Sequence, residues 1–171
     1  MKRPETYFHE ALSDDDYRAV GRVLVTFAHL EHALVRAGIA VSGALGADEV
    51  TTRIAVAKGV EQTFKGRCKS FSAAYRKAAG DDEWISSFEE SMSYATRMRD
   101  HFVHGQWDKL SDGRLTVEFF ARQAIREGAP SYVMDMTSAD LDKLSESNKR
   151  NVKFLYDRFP AVSKWPPKEA P

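Results

Sequence analysis

Cysteine is almost missing from this chain: Cys68 is the only one in 171 residues. A single cysteine excludes an intrachain disulfide and any zinc site built on cysteine pairs. No run approaches the ~18 consecutive apolar residues read as a membrane-spanning helix. Lys2 and Arg3 are followed by Pro4, Glu5, Thr6 and His9 rather than an apolar stretch, which is not the pattern of a secretory leader. The expectation is a cytoplasmic protein with no membrane partner. Net charge is lacking too, with 25 basic against 25 acidic residues. Proteins that grip long stretches of phosphate backbone are usually basic overall, so a general nucleic-acid coat is disfavoured, while room remains for a local basic face. The sequence also has no Gly-rich phosphate loop, no G-x-S-x-G elbow and no zinc-protease motif.

What is present suits a globular fold. The apolar fraction is 43% and the charged fraction 29%, which argues against disorder of the whole chain. The length fits one domain, able to bury roughly 70% of the surface exposed by the unfolded chain. Residues 1–13 read as an N-terminal arm, with Tyr7 and Phe8 as possible anchors. Ser13-Asp14-Asp15-Asp16 then supplies a cap and an acidic first turn. A first helix is expected over 14–42, with Val20, Val23, Leu24, Phe27, Leu30, Leu34 and Val41 on one stripe. A second is expected over 51–79, with Ala57, Val60, Phe64, Cys68, Phe71, Tyr75 and Ala78 on its face. Gly59 and Gly66 each disfavour a helix interior by about 1 kcal/mol, so a break is possible there. A third helix should span 82–103, with Ile85, Phe88, Met92, Ala95 and Phe102 as its stripe and Gly105 as its stop.

The period then changes. Residues 106–110, 115–120 and 132–136 are short and alternating. Ser111-Asp112-Gly113 makes a tight turn between the first two, and residues 126–130 loop between the last two. Thr137-Ser138-Ala139-Asp140 resembles a capping box with Asp in place of Glu, opening a last helix to about residue 159. Pro160 stops it, and 161–171 form a Pro-rich tail that Trp165 could anchor. The predicted architecture is a mainly α, up-and-down helical bundle over 14–160, with a small antiparallel β-meander at about 106–136 inserted before the last helix.

Two charged residues break the apolar stripes. Arg99 lies about 20° from Phe88 on the helical wheel, and Glu31 about 40° from Phe27. Buried charges are normally paired, so Glu31 and Arg99 are expected to meet between the first and third helices. The other reading has Arg99 snorkelling to water. His104 stands about 140° from Arg99 on an ideal helix and faces Asp100, four residues before it. If the last turn unwinds at Gly105, His104 swings toward Arg99. Its imidazole can then act as acid and base, with Asp100 to orient it. Alternatively it is a histidine that suits the negative end of the helix dipole.

Arg99-Asp100-His101-Phe102-Val103-His104 resembles the R-x(4–6)-H motif of HEPN domains, with the polar residue that commonly follows the Arg. Phe27-Ala28-His29-Leu30-Glu31 is similar to first-helix segments of that family. The resemblance covers about residues 14–104 and 138–159, with the meander as an insertion. It implies a metal-independent endoribonuclease without cofactor, acting as a homodimer whose two motifs face each other. His104 would move protons at the RNA 2′-hydroxyl and the leaving 5′-oxygen. Arg99 would hold the scissile phosphate, Asp100 would orient its neighbours and Glu31 would support Arg99. Products would be a 2′,3′-cyclic phosphate and a 5′-hydroxyl. Toxins restrained by an antitoxin partner and phage-defence effectors occur in the family, as do members that only bind.

Residues 51–80 carry Arg53, Lys58, Lys65, Arg67, Lys69, Arg76 and Lys77 against Glu61 alone. Lys58, Lys65, Arg67 and Lys69 are the candidate RNA contacts; the bland reading is a solvated face that pairs with the acidic residues of 81–90. A catalytically inactive binding module remains the main alternative. A His-ligated metal protein is the lesser one: His29 and His32, and His101 and His104, are each spaced i, i+3. However, His29, His32 and His101 fall opposite the apolar stripes, and no metal is called for by the motif. Cys68, on an apolar face, reads as core.

Overall fold

The computed structural model describes residues 12–44, 48, 50, 51, 54, 58, 59, 61–119 and 132–160. The arm with Tyr7 and Phe8, the loop at 126–130, Ala57, Val60 and the tail with Trp165 lie outside the described residues. The protein is mainly helical, with one small antiparallel sheet. The described elements run α1 (Asp14–Ala44), α2 (Phe64–Ala79), α3 (Glu83–His104), β1 (Gln106–Lys109), β2 (Leu115–Phe119), β3 (Tyr132–Met136) and α4 (Ser138–Arg158).

Helix starts follow local chemistry. At α1, the Ser13 hydroxyl accepts from the Asp16 N–H at 3.3 Å while the Asp16 carboxylate accepts from the Ser13 N–H at 2.8 Å. Thr137 and Asp140 repeat this reciprocal capping at α4, at 3.2 and 3.0 Å. Asp82 opens α3 by accepting from the Ile85 N–H at 2.9 Å. The expected single helix over 51–79 is divided. Val50, Thr51, Ile54, Lys58, Gly59 and Glu61 are helical, the chain breaks at Gln62 and Thr63, and α2 starts afresh. Thr63 caps it, its hydroxyl accepting from the Gly66 N–H at 3.1 Å. The break therefore comes from a capping threonine between the two glycines rather than from either glycine itself.

The chain divides into two compact units. The first comprises Met1–Phe27 and Arg97–Ser147. It holds the start of α1, the end of α3, the sheet and the start of α4. Its sheet has order β1-β2-β3, all antiparallel. The β1–β2 turn closes with Gly113 at φ +83° and its N–H donating to the Leu110 carbonyl at 2.9 Å. The register places Trp107 beside Val117, Val117 beside Met134, and Phe119 beside Tyr132, on one face. Ala19, Val20, Val23, Phe27, Met98, Phe102, Leu110, Leu115, Val117, Met136, Leu141 and Leu144 are buried.

The second unit comprises Ala28–Thr96 and Asn148–Pro171. Phe64, Cys68, Phe71 and Tyr75 of α2 are buried, as are Ile85, Phe88, Met92 and Ala95 of α3. Phe71, Tyr75, Trp84, Phe88, Phe154 and Phe159 form an aromatic cluster, with Trp84 stacked on Phe88 at 5.4 Å and on Phe154 at 5.3 Å. Arg158 lies 5.6 Å from the centres of both the Tyr75 and Trp84 rings and bonds the Tyr75 hydroxyl. Tyr75 in turn donates to Asp82 at 2.8 Å. Burial pushes the Tyr75 phenol up, while the Ile85 N–H and the Tyr75 hydroxyl hold Asp82 below the usual carboxylate range. Among the described residues, α1 is long and apolar enough to cross a membrane by length and composition alone. Buried helices of folded proteins meet the same criterion, and Leu30, Ala33, Leu34, Ala37 and Val41 are buried here.

Candidate functional site at the end of the third helix

The end of α3 is fixed by aromatic packing. Phe102 is buried, with its ring edge-on to Phe27 at 6.1 Å and to Trp107 at 4.7 Å. The Trp107 indole N–H donates to the Phe102 carbonyl at 3.4 Å, one of the carbonyls left open by the helix end. Gly105 continues the helical hydrogen bonding, donating to the His101 carbonyl at 2.8 Å. A Cβ at position 105 would overlap both the Val117 side chain and that carbonyl oxygen. Glycine is required here by close approach of β2, with no need for a left-handed backbone.

The helix therefore stays regular through His104. The expected unwinding at Gly105 does not occur, because the bond from Gly105 to His101 keeps the last turn α-helical. Five residues at 100° each place His104 about 140° round α3 from Arg99. Arg99 is largely sheltered, its side chain 23% exposed, and its guanidinium lies 3.6 Å from the Asp100 carboxylate. Asp100 is 46% exposed, and His104 lies on the surface one turn further along the same face. A guanidinium and a carboxylate thus lie side by side at this helix end, with an imidazole next to the carboxylate's face and about 140° round from the guanidinium.

His101, between them in sequence, is engaged differently. Its Nδ1 donates to the Arg97 carbonyl at 2.7 Å, which fixes the tautomer because a carbonyl can only accept. Its ring lies 5.1 Å from Phe119 and 6.3 Å from Tyr132. The face of α3 predicted to point away from the apolar stripe carries the sheet.

Glu31 belongs to the other unit. There its carboxylate accepts from Arg67 Nη1 at 2.5 Å, with the two side chains 20% and 16% exposed. Arg67 Nε also donates to the Gly59 carbonyl at 2.8 Å. Within its own unit Glu31 meets a cation from α2, a partner that the sequence did not point to. Arg67, a candidate RNA contact, is accordingly held in the fold. Arg76 is held as well, with two bonds to Glu89 at 2.5 and 2.8 Å and one to Asp81 at 3.1 Å. The bland reading of the basic segment is therefore correct for Arg76. Lys58, Lys65 and Lys69 are exposed.

Other sites are weaker. A cleft lined by Leu34, Ile39, Ser42, Gln62, Ser70 and Phe71 has its hydroxyls already bonded, Ser42 to Gly38 and Ser70 to Gln62. Burial raises the Cys68 thiol to about 12, so it stays protonated and unreactive at neutral pH. Among the described residues no three His, Cys, Asp or Glu side chains gather as a metal-ligand set, and His29 and His32 are exposed on α1.

Several features escaped sequence reasoning. One is the Asp16–Lys109 pair at 2.9 Å, joining the cap of α1 to β1. Others are the Glu31–Arg67 pair and the Tyr75–Asp82–Arg158 cluster. Asp16 gave a local signal, as the fourth residue of a capping box, but nothing in the sequence marks Lys109 as its partner.

These elements define a mainly helical protein with a three-stranded antiparallel sheet and an arginine–histidine motif closing its third described helix. Comparison with family models, with curated proteins and with solved structures finds no significant match.

Proposed function

We propose that this chain is a metal-independent endoribonuclease of HEPN-like architecture, cleaving RNA between two facing copies of the Arg99-Asp100-His104 motif. The observation that carries the reading is the grouping of a sheltered guanidinium, a half-exposed carboxylate and a surface imidazole at one helix end locked by Phe102, Trp107 and Gly105. His104 of one copy takes the proton from the ribose 2′-hydroxyl. The 2′-oxygen attacks phosphorus, and the bond to the 5′-oxygen breaks as water supplies its proton. Arg99 neutralises charge growing on the phosphoryl oxygens. Asp100 orients its neighbours, and Glu31 supports the helix seam through its own ion pair. The cut ends are a 2′,3′-cyclic phosphate and a 5′-hydroxyl. Such an enzyme acts on RNA in the cytoplasm, as a toxin or defence effector restrained by a partner protein.

A second reading, a catalytically inactive binding module, is favoured by one observation. The regular last turn of α3 leaves Arg99 and His104 about 140° apart on a single chain. The test is RNA cleavage in EDTA by wild type, His104→Ala and Arg99→Ala. The nuclease reading expects cleavage by wild type and its loss, by a hundredfold or more, in both variants. No cleavage by wild type, or full activity in His104→Ala, would replace it with the binding module.

A further inference from the structure

On α2 the arginines and the lysines behave differently. Arg67 and Arg76 are bound to Glu31, Asp81 and Glu89. Lys65, Lys69 and Lys77 are exposed, and none has a carboxylate partner among the described residues. Helical spacing sets Lys65, Lys69 and Lys77 within about 120° of arc, with rises of about 6 Å and then about 12 Å between them. The other residues along that arc are the small Gly66 and Ala73 and Arg76, the last held by Glu89 and Asp81. Lys65 stands in the first turn of α2, which contains no acidic residue, whereas the first turns of α1, α3 and α4 each carry Asp or Glu. A cation in the first turn opposes the helix dipole, so local helix stability does not account for it.

We infer that Lys65, Lys69 and Lys77 form a phosphate-tracking ridge that holds single-stranded RNA, an inference that rests on the proposal that this chain acts on RNA. Lysine ammonium groups are mobile point charges, suited to a polynucleotide backbone without a fixed sequence. An anionic membrane is the poorer occupant. The apolar side chains of α2 that would enter a bilayer, Phe64, Phe71 and Tyr75, are buried in its own unit. Small residues between the lysines let a strand lie close to the helix.

The experiment measures binding of a fluorescent single-stranded RNA carrying 2′-O-methyl groups, which block cleavage, at several salt concentrations. The proteins are wild type, a Lys65→Gln/Lys69→Gln/Lys77→Gln triple variant and the corresponding triple Lys→Arg variant. The Gln variant should bind at least tenfold more weakly at low salt, with a log–log salt slope shallower by about 2. The Arg variant should bind like wild type, and the melting temperature of the Gln variant should be unchanged. Equal affinity and slope in the Gln variant would overturn the ridge. So would binding by wild type to phosphatidylserine vesicles or an acidic peptide but not to RNA. The two proposals fail separately: lysine-dependent RNA binding without cleavage removes the nuclease and keeps the ridge. Cleavage whose RNA affinity ignores the lysines does the reverse.

Discussion

At the scale of single residues, ionic partners decide what each charge does. Asp16 is the clearest case. Hydrogen bonds from the Ser13 hydroxyl, followed by the Lys109 ammonium, lower its carboxyl to about 2, and its side chain is only 9% exposed. A carboxylate whose folded value is depressed contributes stability above its unfolded value, near 4. That contribution is lost as pH falls through the folded value. Asp16→Asn should therefore lower stability at pH 7 by roughly 2 kcal/mol. It should also remove one component of acid unfolding between about pH 4 and pH 2. Urea titrations of both proteins at pH 7, 4 and 2 check this; a wild-type advantage that persists undiminished at pH 2 would count against the pair. Glu31 illustrates the limit of reading residues singly. Its place in an apolar stripe shows that it needs a cation, and α2 supplies Arg67. No periodicity within α1 could name Arg67 as a partner.

Elements were the more legible level. Apolar stripes placed α1, α3 and α4 to within a residue or two of their ends, since core burial and caps act over one helix turn. The strands followed from their alternation and the Asp112-Gly113 turn. A break was allowed for at Gly59 and Gly66 but its place at Gln62 and Thr63 was not read, because Thr63 lies in an otherwise helical pattern and its capping role needs the chain to leave it in an extended conformation. Gly105 was read as a helix stop, but its stronger role is to admit Val117 of β2. Gly105→Ala should destabilise the protein by about 1–3 kcal/mol, the usual range for forcing an extra carbon into packed structure. Thermal unfolding tests it, and an unchanged melting temperature would show that β2 can withdraw from the helix end at little cost.

At the scale of the whole molecule, the proposed chemistry depends on a second copy. Arg99 and His104 diverge around α3, so a productive guanidinium–imidazole pair is expected to form in trans. Mixing Arg99→Ala with His104→Ala protein, each inactive alone, should then restore up to about a quarter of wild-type cleavage. Half of a randomly reassorted dimer population is mixed, and each mixed dimer keeps one intact pair. Size measurement by light scattering accompanies the assay, and a dimer that shows no recovery on mixing would remove the composite site.

The sequence by itself determined the helical class, the three strands, the cap at Ser13, the Thr137–Asp140 capping box and the buried character of Cys68. Each of these is set within a few residues by periodicity, turn chemistry or side-chain polarity. Tertiary structure alone brought Arg67 to Glu31 and Lys109 to Asp16, left Gly105 no room for a side chain, and kept the last turn of α3 wound. Those outcomes depend on groups far apart in the chain arriving within about 3 Å of one another, where a hydrogen bond forms or a methyl group no longer fits.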